Sequence, residues 1–254
     1  MSYIDLHATL QDWPYDADQI SVRKILGTDG LVRIQMRVEL GILQMEAEGR
    51  PDAARPHGCT SLLEYHKRRQ VKHDERNGTS LGFVLTPQQC QDLRAEASLF
   101  YRRFVALFVL EEFEEVVRDT THNLLIFDMC REFARESEDR NCLESFRPYV
   151  VMMNARSNAY HALQENQLSS ALAHVNRGIL NIRAFYELRG DANAAEGCEE
   201  MKILRTLTSE LAAQMPQDSL VVTRRALRAA IEREQFEEAA RLRDALKNLQ
   251  KHEG

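Results

Sequence analysis

The sequence is poor in glycine and proline, with Gly 11 and Pro 6 among 254 residues. Both residues are penalised inside helices, so their scarcity favours long helices joined by short connections. The 5 cysteines are scattered, odd in number and never spaced as C-x-x-C. This pattern argues against a disulfide framework or a structural zinc knuckle, and it favours a reducing compartment.

Excess basic charge and long apolar runs are also lacking. A formal net charge of −6 provides no general attraction to nucleic acid, which needs a basic face, so direct nucleic-acid binding is not expected. The longest apolar stretch, residues 104–110, is far too short to span a bilayer. The first ten residues lack the basic start and apolar run of a signal peptide. We therefore expect a cytoplasmic protein that is not membrane-bound.

In the N-terminal part of the chain, apolar residues recur at every second position. Between residues 31 and 42 every even position is apolar, and the odd positions from 33 onward carry polar residues or glycine. Successive side chains of a strand point to opposite faces, so this pattern predicts one half-buried strand. Residues 20–26 supply a partner strand, and Gly27-Thr28-Asp29-Gly30 supplies turn residues that tolerate positive φ. We predict an N-terminal β-hairpin segment over residues 1–59.

Residues 60–215 are predicted to form a helical domain. Ser61 with Glu64, and Thr86-Pro87 with Gln89, fit capping boxes at helix starts. Apolar residues then recur at helical spacing.

A repeat is visible within this helical part. Ala159, Leu168 and Ala171 repeat the spacing of Phe104, Phe113 and Val116. This spacing resembles the tetratricopeptide (TPR) family over roughly residues 88–188. The family's paired helices place small residues where they cross, and the bulky Phe104 departs from that pattern. The alternative is a generic helical bundle without a repeat.

The C-terminal segment reads as two short helices. Pro216 ends the preceding helix, and Asp218 or Ser219 can cap the next one. Leu220, Leu227 and Ile231 make one apolar stripe, and a second stripe begins at Phe236 and includes the Ala239-Ala240 pair. The stripes meet if the chain reverses near Glu234-Gln235. Isolated helices of this length are marginal in water, so such a hairpin requires a partner surface.

The run Phe236-Glu237-Glu238-Ala239-Ala240-Arg241-Leu242-Arg243-Asp244 resembles the UVR motif. That motif is shared by the UvrB and UvrC repair proteins, Clp-family chaperone ATPases and the activator of a protein-arginine kinase. The resemblance implies an antiparallel helical hairpin over residues 219–252 that pairs with itself or with another UVR hairpin. It thus implies docking rather than chemistry. The implied partner-binding residues are Phe236, Glu237, Glu238, Ala240, Arg241, Arg243 and Asp244.

Catalytic and cofactor signatures are missing from the sequence. It contains no G-x-x-x-x-G-K-[ST] phosphate loop, and no Ser/His/Asp or Cys/His arrangement can be argued. His57, Cys59 and His66 are close together, but their spacing matches no zinc pattern. His122 is predicted to be an ordinary helix residue. We expect no enzymatic activity, no cofactor and no metal.

The loop at residues 50–58 offers a second possible site. Two prolines stiffen it, and it carries Arg50, Arg55 and His57, which could bind a phosphate or carboxylate because guanidinium groups bind these bidentately. Alternatively, Arg50 and Arg55 tie the β-hairpin to the helical part through Asp52 and nearby carboxylates.

Taken together, the sequence predicts a mainly α fold. An N-terminal β-hairpin leads into a TPR-like helical-hairpin array, and a UVR helical hairpin completes the chain. The predicted function is that of a bacterial, non-enzymatic adaptor or regulatory protein, either a homodimer or docked to another UVR protein in DNA repair or regulated proteolysis. The alternative is a sensor that binds a nucleotide-like anion through Arg50 and Arg55.

Overall fold

The computed structural model describes residues 6–214, 227–231, 235 and 237–244. Helices dominate these residues, as predicted, and a small antiparallel sheet lies near the N-terminus. Residues 227–231 and 237–244 are also helical. The named elements are α1 (His7–Leu10), β1 (Val22–Leu26), β2 (Val32–Val38), β3 (Gly41–Glu46), α2 (Leu62–Asn77), α3 (Pro87–Val109), α4 (Phe113–Phe133), α5 (Ser137–Asn141), α6 (Arg147–Gln164), α7 (Leu168–Glu187), α8 (Ala192–Gly197) and α9 (Glu199–Gln214), with 3₁₀ turns at Pro56–Gly58 and Glu144–Phe146.

The sheet has the order β1-β2-β3, with both pairs antiparallel. Its first two strands form the predicted hairpin. The turn between them uses Gly30 at a φ of 77°, a left-handed conformation that glycine adopts without steric cost. The N–H of Gly27 donates to the carbonyl of Leu31 at 2.8 Å and closes this turn.

The prediction of one continuous strand over residues 31–42 is wrong. The chain turns at Glu39-Leu40, and Gly41 pairs with Val38 to begin a third strand. Leu40 is 89% exposed at the tip of this turn, although the alternation had placed it on the apolar face. Two-residue hairpin turns usually carry glycine, asparagine or aspartate, and Glu39-Leu40 carries none of them, so the residue types do not indicate a turn here.

The core connects the sheet to the helices. Ile34 and Met45 are directly paired across β2 and β3, and they are 0% and 6% exposed. The strand β2 contacts α3, which also packs against α4, and α4 packs against α6. Fully buried apolar side chains of the helical core include Phe104, Leu107, Ile126, Met152 and Ile182.

Both predicted helix starts carry the predicted N-cap, but only the second is a capping box, because the Glu64 side chain accepts the N–H of Thr60 and not that of Ser61. The Oγ of Ser61 accepts the N–H of Glu64 at 3.0 Å at the start of α2. At the start of α3, Oγ1 of Thr86 accepts the N–H of Gln89 at 3.3 Å, and the Gln89 side chain accepts the N–H of Thr86 at 3.0 Å. The second site is a complete capping box, with Pro87 at the first helical position.

A left-handed residue closes the hairpin between α3 and α4. Glu111 has a φ of 59°, and the N–H of the next residue, Glu112, donates to the carbonyl of Leu107 at 3.0 Å. The ring of Phe113, which opens α4, then packs against Phe108 with a centroid separation of 5.6 Å. The hydrogen bond and the aromatic contact together fix the reversal of the chain.

The hairpin between α6 and α7 closes in the same way. Asn166 has a φ of 61°, and the N–H of Gln167 donates to the carbonyl of Ala162 at 2.8 Å. Asn166 follows Glu111 by the same number of residues as Ala159 follows Phe104. The two left-handed turns therefore occupy equivalent positions when the two hairpin sequences are aligned as in the repeat. The TPR-like assignment of the helical body stays a prediction.

A glycine permits close packing of α7 on α6. A Cβ added at Gly178 would lie 2.5 Å from Cβ of Ala155 and 3.1 Å from Cδ1 of Leu204 in α9. The first separation is too short for two carbon atoms, so the helices approach here only because residue 178 has no side chain.

The chain divides into two compact units, Met1–Ser209 and Glu210–Gly254. The predicted boundary at Pro216 lies outside the described residues, and the predicted domain limits of 1–59, 60–215 and 219–252 stay predictions. None of the helices in the described ranges combines the length and apolar character needed to cross a membrane.

Candidate functional site

Arg50, one of the two loop arginines, is already paired. Its side chain is 12% exposed, and its Nε lies 2.9 Å from Oδ1 of Asp52. Its Nη1 lies 3.2 Å from Oε2 of Glu96, a residue of α3. Of the two interpretations of this loop, the geometry supports the one in which Arg50 ties the sheet segment to the helices.

Glu96, which pairs with Arg50, accepts further hydrogen bonds from other parts of the chain. It is fully buried, and its carboxylate accepts the N–H groups of Leu62 at 2.7 Å and Leu63 at 3.0 Å. His122 of α4 completes the cluster, with Nε2 3.1 Å from Oε1 of Glu96 and its ring stacked on Phe100 at 3.7 Å. Burial alone would raise the pKa of Glu96, but the hydrogen bonds from His122, Leu62 and Leu63 hold it below its usual value. The carboxylate is therefore charged and fully engaged.

A second buried pair reinforces the same junction. Arg103 of α3 and Asp119 of α4 are fully buried and form two hydrogen bonds of 2.6 and 2.8 Å. The remaining Nη1 of Arg103 donates to the carbonyl of Glu46, at the end of β3, at 2.9 Å. Arg118 adds a bond to the next carbonyl, that of Ala47, at 3.1 Å. Hydrogen bonds from Arg103 and Arg118 to these two carbonyls thus hold the end of the sheet against the α3–α4 hairpin.

Arg55 and His57 lie farther out. Both are exposed, and the ring of His57 stacks on Tyr65 with a centroid separation of 4.0 Å. His57 adopts a φ of 52°, so the loop is held in a left-handed conformation beside α2. The predicted set of Arg50, Arg55 and His57 is therefore split between one buried ion pair and two exposed side chains.

A shallow cavity of about 280 Å³ is lined by Arg33, Arg50 and Arg55 together with Glu46 and Glu48. Arg33 is paired with Glu46 at 2.8 Å, and Arg50 is paired as described above. The carboxylates already neutralise most of the positive charge that an anion would need. No observation favours the anion-sensor hypothesis over the structural role of this loop.

Among the described residues of the C-terminal segment, residues 227–231 and 237–244 are helical. Between them, the N–H of Gln235 donates to the carbonyl of Ala230 at 2.9 Å, and the carbonyl of Gln235 accepts the N–H of Ala239 at 2.9 Å. The bond from Gln235 to Ala230 joins an N–H to the carbonyl five residues earlier, as does the bond from Glu112 to Leu107 at the α3–α4 turn. Glu234 lies outside the described residues, so the predicted reversal near Glu234-Gln235 stays a prediction.

The sequences around the two turns are also alike. Glu112-Phe113-Glu114-Glu115 follows the reversal between α3 and α4, and the similar sequence Gln235-Phe236-Glu237-Glu238 follows the predicted one. Phe236 itself lies outside the described residues, so the predicted aromatic plug of the C-terminal hairpin stays a prediction.

The burial of this segment differs in part from the expected pattern. Ala230 is buried at 4% exposure, and Ala239 and Leu242 are half-buried. Ile231, predicted to face the second helix, is instead 56% exposed. Ala240 is exposed as well, so it does not belong to the hairpin core.

The predicted charged residues of the hairpin all lie at the surface. Nε of Arg243 lies 3.0 Å from Oδ1 of Asp244. Arg241 lies 3.9 Å from Oε2 of Glu238. Exposed pairs of this kind contribute at most about 1 kcal/mol, so these side chains are available to exchange partners.

Residues 219–251 match the family model of the UvrB/uvrC motif, UVR. This match confirms the predicted UVR motif at the C-terminal end of the sequence. Comparisons with curated proteins and with solved structures find no match. The match does not extend to the sheet or to the helical body.

Sequence reasoning missed the residues of the buried junction, including His122, which it took for an ordinary helix residue. A signal was present, however. Glu96 and Arg103 fall among Leu93, Phe100 and Leu107 on the apolar face of α3. A charged residue at a core position of an amphipathic helix indicates a buried partner.

Proposed function

We propose that this protein is a non-enzymatic adaptor or regulatory protein of the cytoplasm. Its UVR hairpin docks either onto a second copy of the chain or onto another UVR-containing protein, and its helical body offers a further protein-binding surface. The observation that carries the proposal is the family-model match at residues 219–251.

The surface of the described hairpin residues supports docking. Ile231 is 56% exposed, and Ala240 adds a second exposed apolar position. Charges of both signs are also exposed, on Glu237, Glu238 and Arg241. Exposed apolar and charged residues occur together in protein–protein interfaces, and charges of both signs on one hairpin suit pairing with a like hairpin.

The proposal is tested by measuring the mass of the full chain over a wide concentration range, using sedimentation equilibrium. We expect a monomer–dimer equilibrium, and we expect Ile231→Asp to weaken it by roughly tenfold or more, as loss of an interface anchor does. Leu188→Asp is the matched control, because Leu188 is an apolar residue with 88% exposure outside the hairpin. It should leave the equilibrium unchanged.

Docking onto another UVR protein is tested with an immobilised UVR hairpin peptide from a partner protein. The full chain should bind the peptide, and Arg241→Glu should weaken binding more at low salt than at high salt. A chain that is monomeric at all concentrations and binds no UVR hairpin would contradict the proposal.

A further inference from the structure

A cavity of about 390 Å³ lies among α3, α4, α6 and the turn before α6. Its volume falls within the roughly 300–1,000 Å³ range of small-molecule sites. Buried apolar side chains line its interior, among them Phe127 at 3% and Val150 at 2% exposure. At the rim, Tyr101 is 44% exposed and Phe146 is 57% exposed. A buried apolar interior with exposed aromatic residues at its opening suits a flat apolar ligand.

Asn123 is the buried polar residue among the described residues that line this cavity. It is 2% exposed, and its Nδ2 donates to the carbonyl of Ala97 at 3.0 Å, which fixes the orientation of the amide. Its Oδ1 is buried and has no hydrogen-bond partner in the described part of the chain. A buried acceptor without a partner costs about 1–3 kcal/mol, so a ligand that donates a hydrogen bond would relieve a cost that the fold already bears.

The charge of the cavity favours an uncharged ligand. Arg94 lines the cavity, but its Nη1 lies 2.6 Å from Oδ1 of Asp139, so its charge is neutralised. Burial, together with neighbouring Tyr101, raises the pKa of Tyr149 to about 12, and its hydroxyl therefore stays neutral. No net charge faces the cavity from these groups.

We propose that this cavity binds an uncharged aromatic small molecule that donates a hydrogen bond to Oδ1 of Asn123. Phenols and indoles are the chemical classes that combine a flat ring with a single N–H or O–H donor. The rings of Tyr101 and Tyr149, whose centroids are 6.1 Å apart, provide aromatic surface for the bound ring.

Calorimetric titration of the full chain with indole tests the proposal, and indene is the matched comparator because a CH₂ group replaces the N–H. We expect saturable binding of indole, with indene bound about three- to tenfold more weakly, the range expected for one hydrogen bond. In Asn123→Leu that preference for indole should disappear.

Because Asn123→Leu also removes the bond to Ala97, a second variant locates the site independently. Ser98 is exposed and lines the cavity, so Ser98→Phe should obstruct it and weaken indole binding at least tenfold. Ala95→Phe places the same side chain at an exposed position of α3 outside the cavity lining and should bind indole normally.

Three results would overturn the proposal. One is failure of indole to bind the full chain, and another is indole binding that Ser98→Phe leaves unchanged. The third is binding of a tryptophan-containing peptide in the absence of any binding of free indole, which would assign the cavity to a protein segment.

Discussion

Replacing Glu96 by glutamine would remove one negative charge from the buried junction without changing its shape. The amide keeps one acceptor oxygen, but its NH₂ group would face donors from Arg50, His122 and the backbone of α2. Breaking a buried ion pair on one side costs about 3–5 kcal/mol because the remaining charge stays buried. Arg50 is 12% exposed and Asp52 remains beside it, so we expect the lower end, about 3 kcal/mol.

Thermal and urea unfolding measure this loss. For a chain of this size about 3 kcal/mol corresponds to a fall in Tm of roughly 6–12 °C. Glu48→Gln is the matched control, because Glu48 also pairs with an arginine, Arg118, at 2.9 Å but is 80% exposed. It should cost no more than about 1 kcal/mol. Equal losses for the two variants would refute the assignment of Glu96 as the buried anchor.

The pH dependence provides a second check of the same residue. Because the folded pKa of Glu96 lies below the usual 4.5, the folded state binds its proton less readily than the unfolded state. The stability contributed by the carboxylate is thus complete above pH 4.5 and is lost as the pH falls through the lower folded pKa. The stability gap between the native chain and Glu96→Gln should be widest near neutral pH and should narrow in acid. A gap that widens in acid would contradict this sign.

Three further changes test other features of the fold. Gly178→Ala should destabilise the protein by about 1–3 kcal/mol in urea unfolding because it overpacks the α6–α7 contact, whereas Gly197→Ala, where a Cβ meets open space, should be neutral or slightly stabilising. Glu111→Gly should relieve the left-handed strain at the α3–α4 turn and change stability by less than about 1 kcal/mol, whereas Glu114→Gly, inside α4, should cost about 1 kcal/mol. Burial lowers the pKa of His66 to about 4, so its contribution to stability is present above pH 6.5 and is lost as the pH falls toward 4. His66→Gln should flatten the measured stability–pH curve in that window, and an unchanged slope would show that His66 is not the group responsible.

The sequence allowed prediction of the features that depend on local patterns. The N-cap at Ser61, the capping box at Thr86, the turn at Gly27–Gly30 and the UVR motif each involve residues close together in the chain. The third strand also had a local signal that was missed. Apolar residues occupy even positions up to Ile42 and odd positions at Leu43 and Met45, and this change of phase indicates that the strand does not continue unbroken.

The buried junction was harder to predict because its partners are distant in sequence. Glu96 accepts from Leu62 and Leu63 across separations of 34 and 33 residues, and Arg103 reaches Glu46 across 57 residues. Apolar periodicity on α3 indicates that charged residues enter the core, but it does not indicate which distant groups satisfy them. Likewise, the cavity around Asn123 depends on the packing of α6 against α3 and α4, which no local pattern specifies.

The carboxylate of Glu96 accepts two backbone N–H groups at the beginning of α2, and this contact affects the order of folding. The first turn of α2 has two of its amide groups bound by a side chain from α3, so α2 cannot be fully formed until the later helices are in place. The α3–α4 hairpin, by contrast, consists of neighbours in the chain and closes through contacts of short range. Helix α2 and the sheet should therefore assemble onto an existing hairpin, although both precede it in the sequence. Substitutions within α3–α4 should slow refolding, and those at Ser61 or Arg50 should chiefly accelerate unfolding.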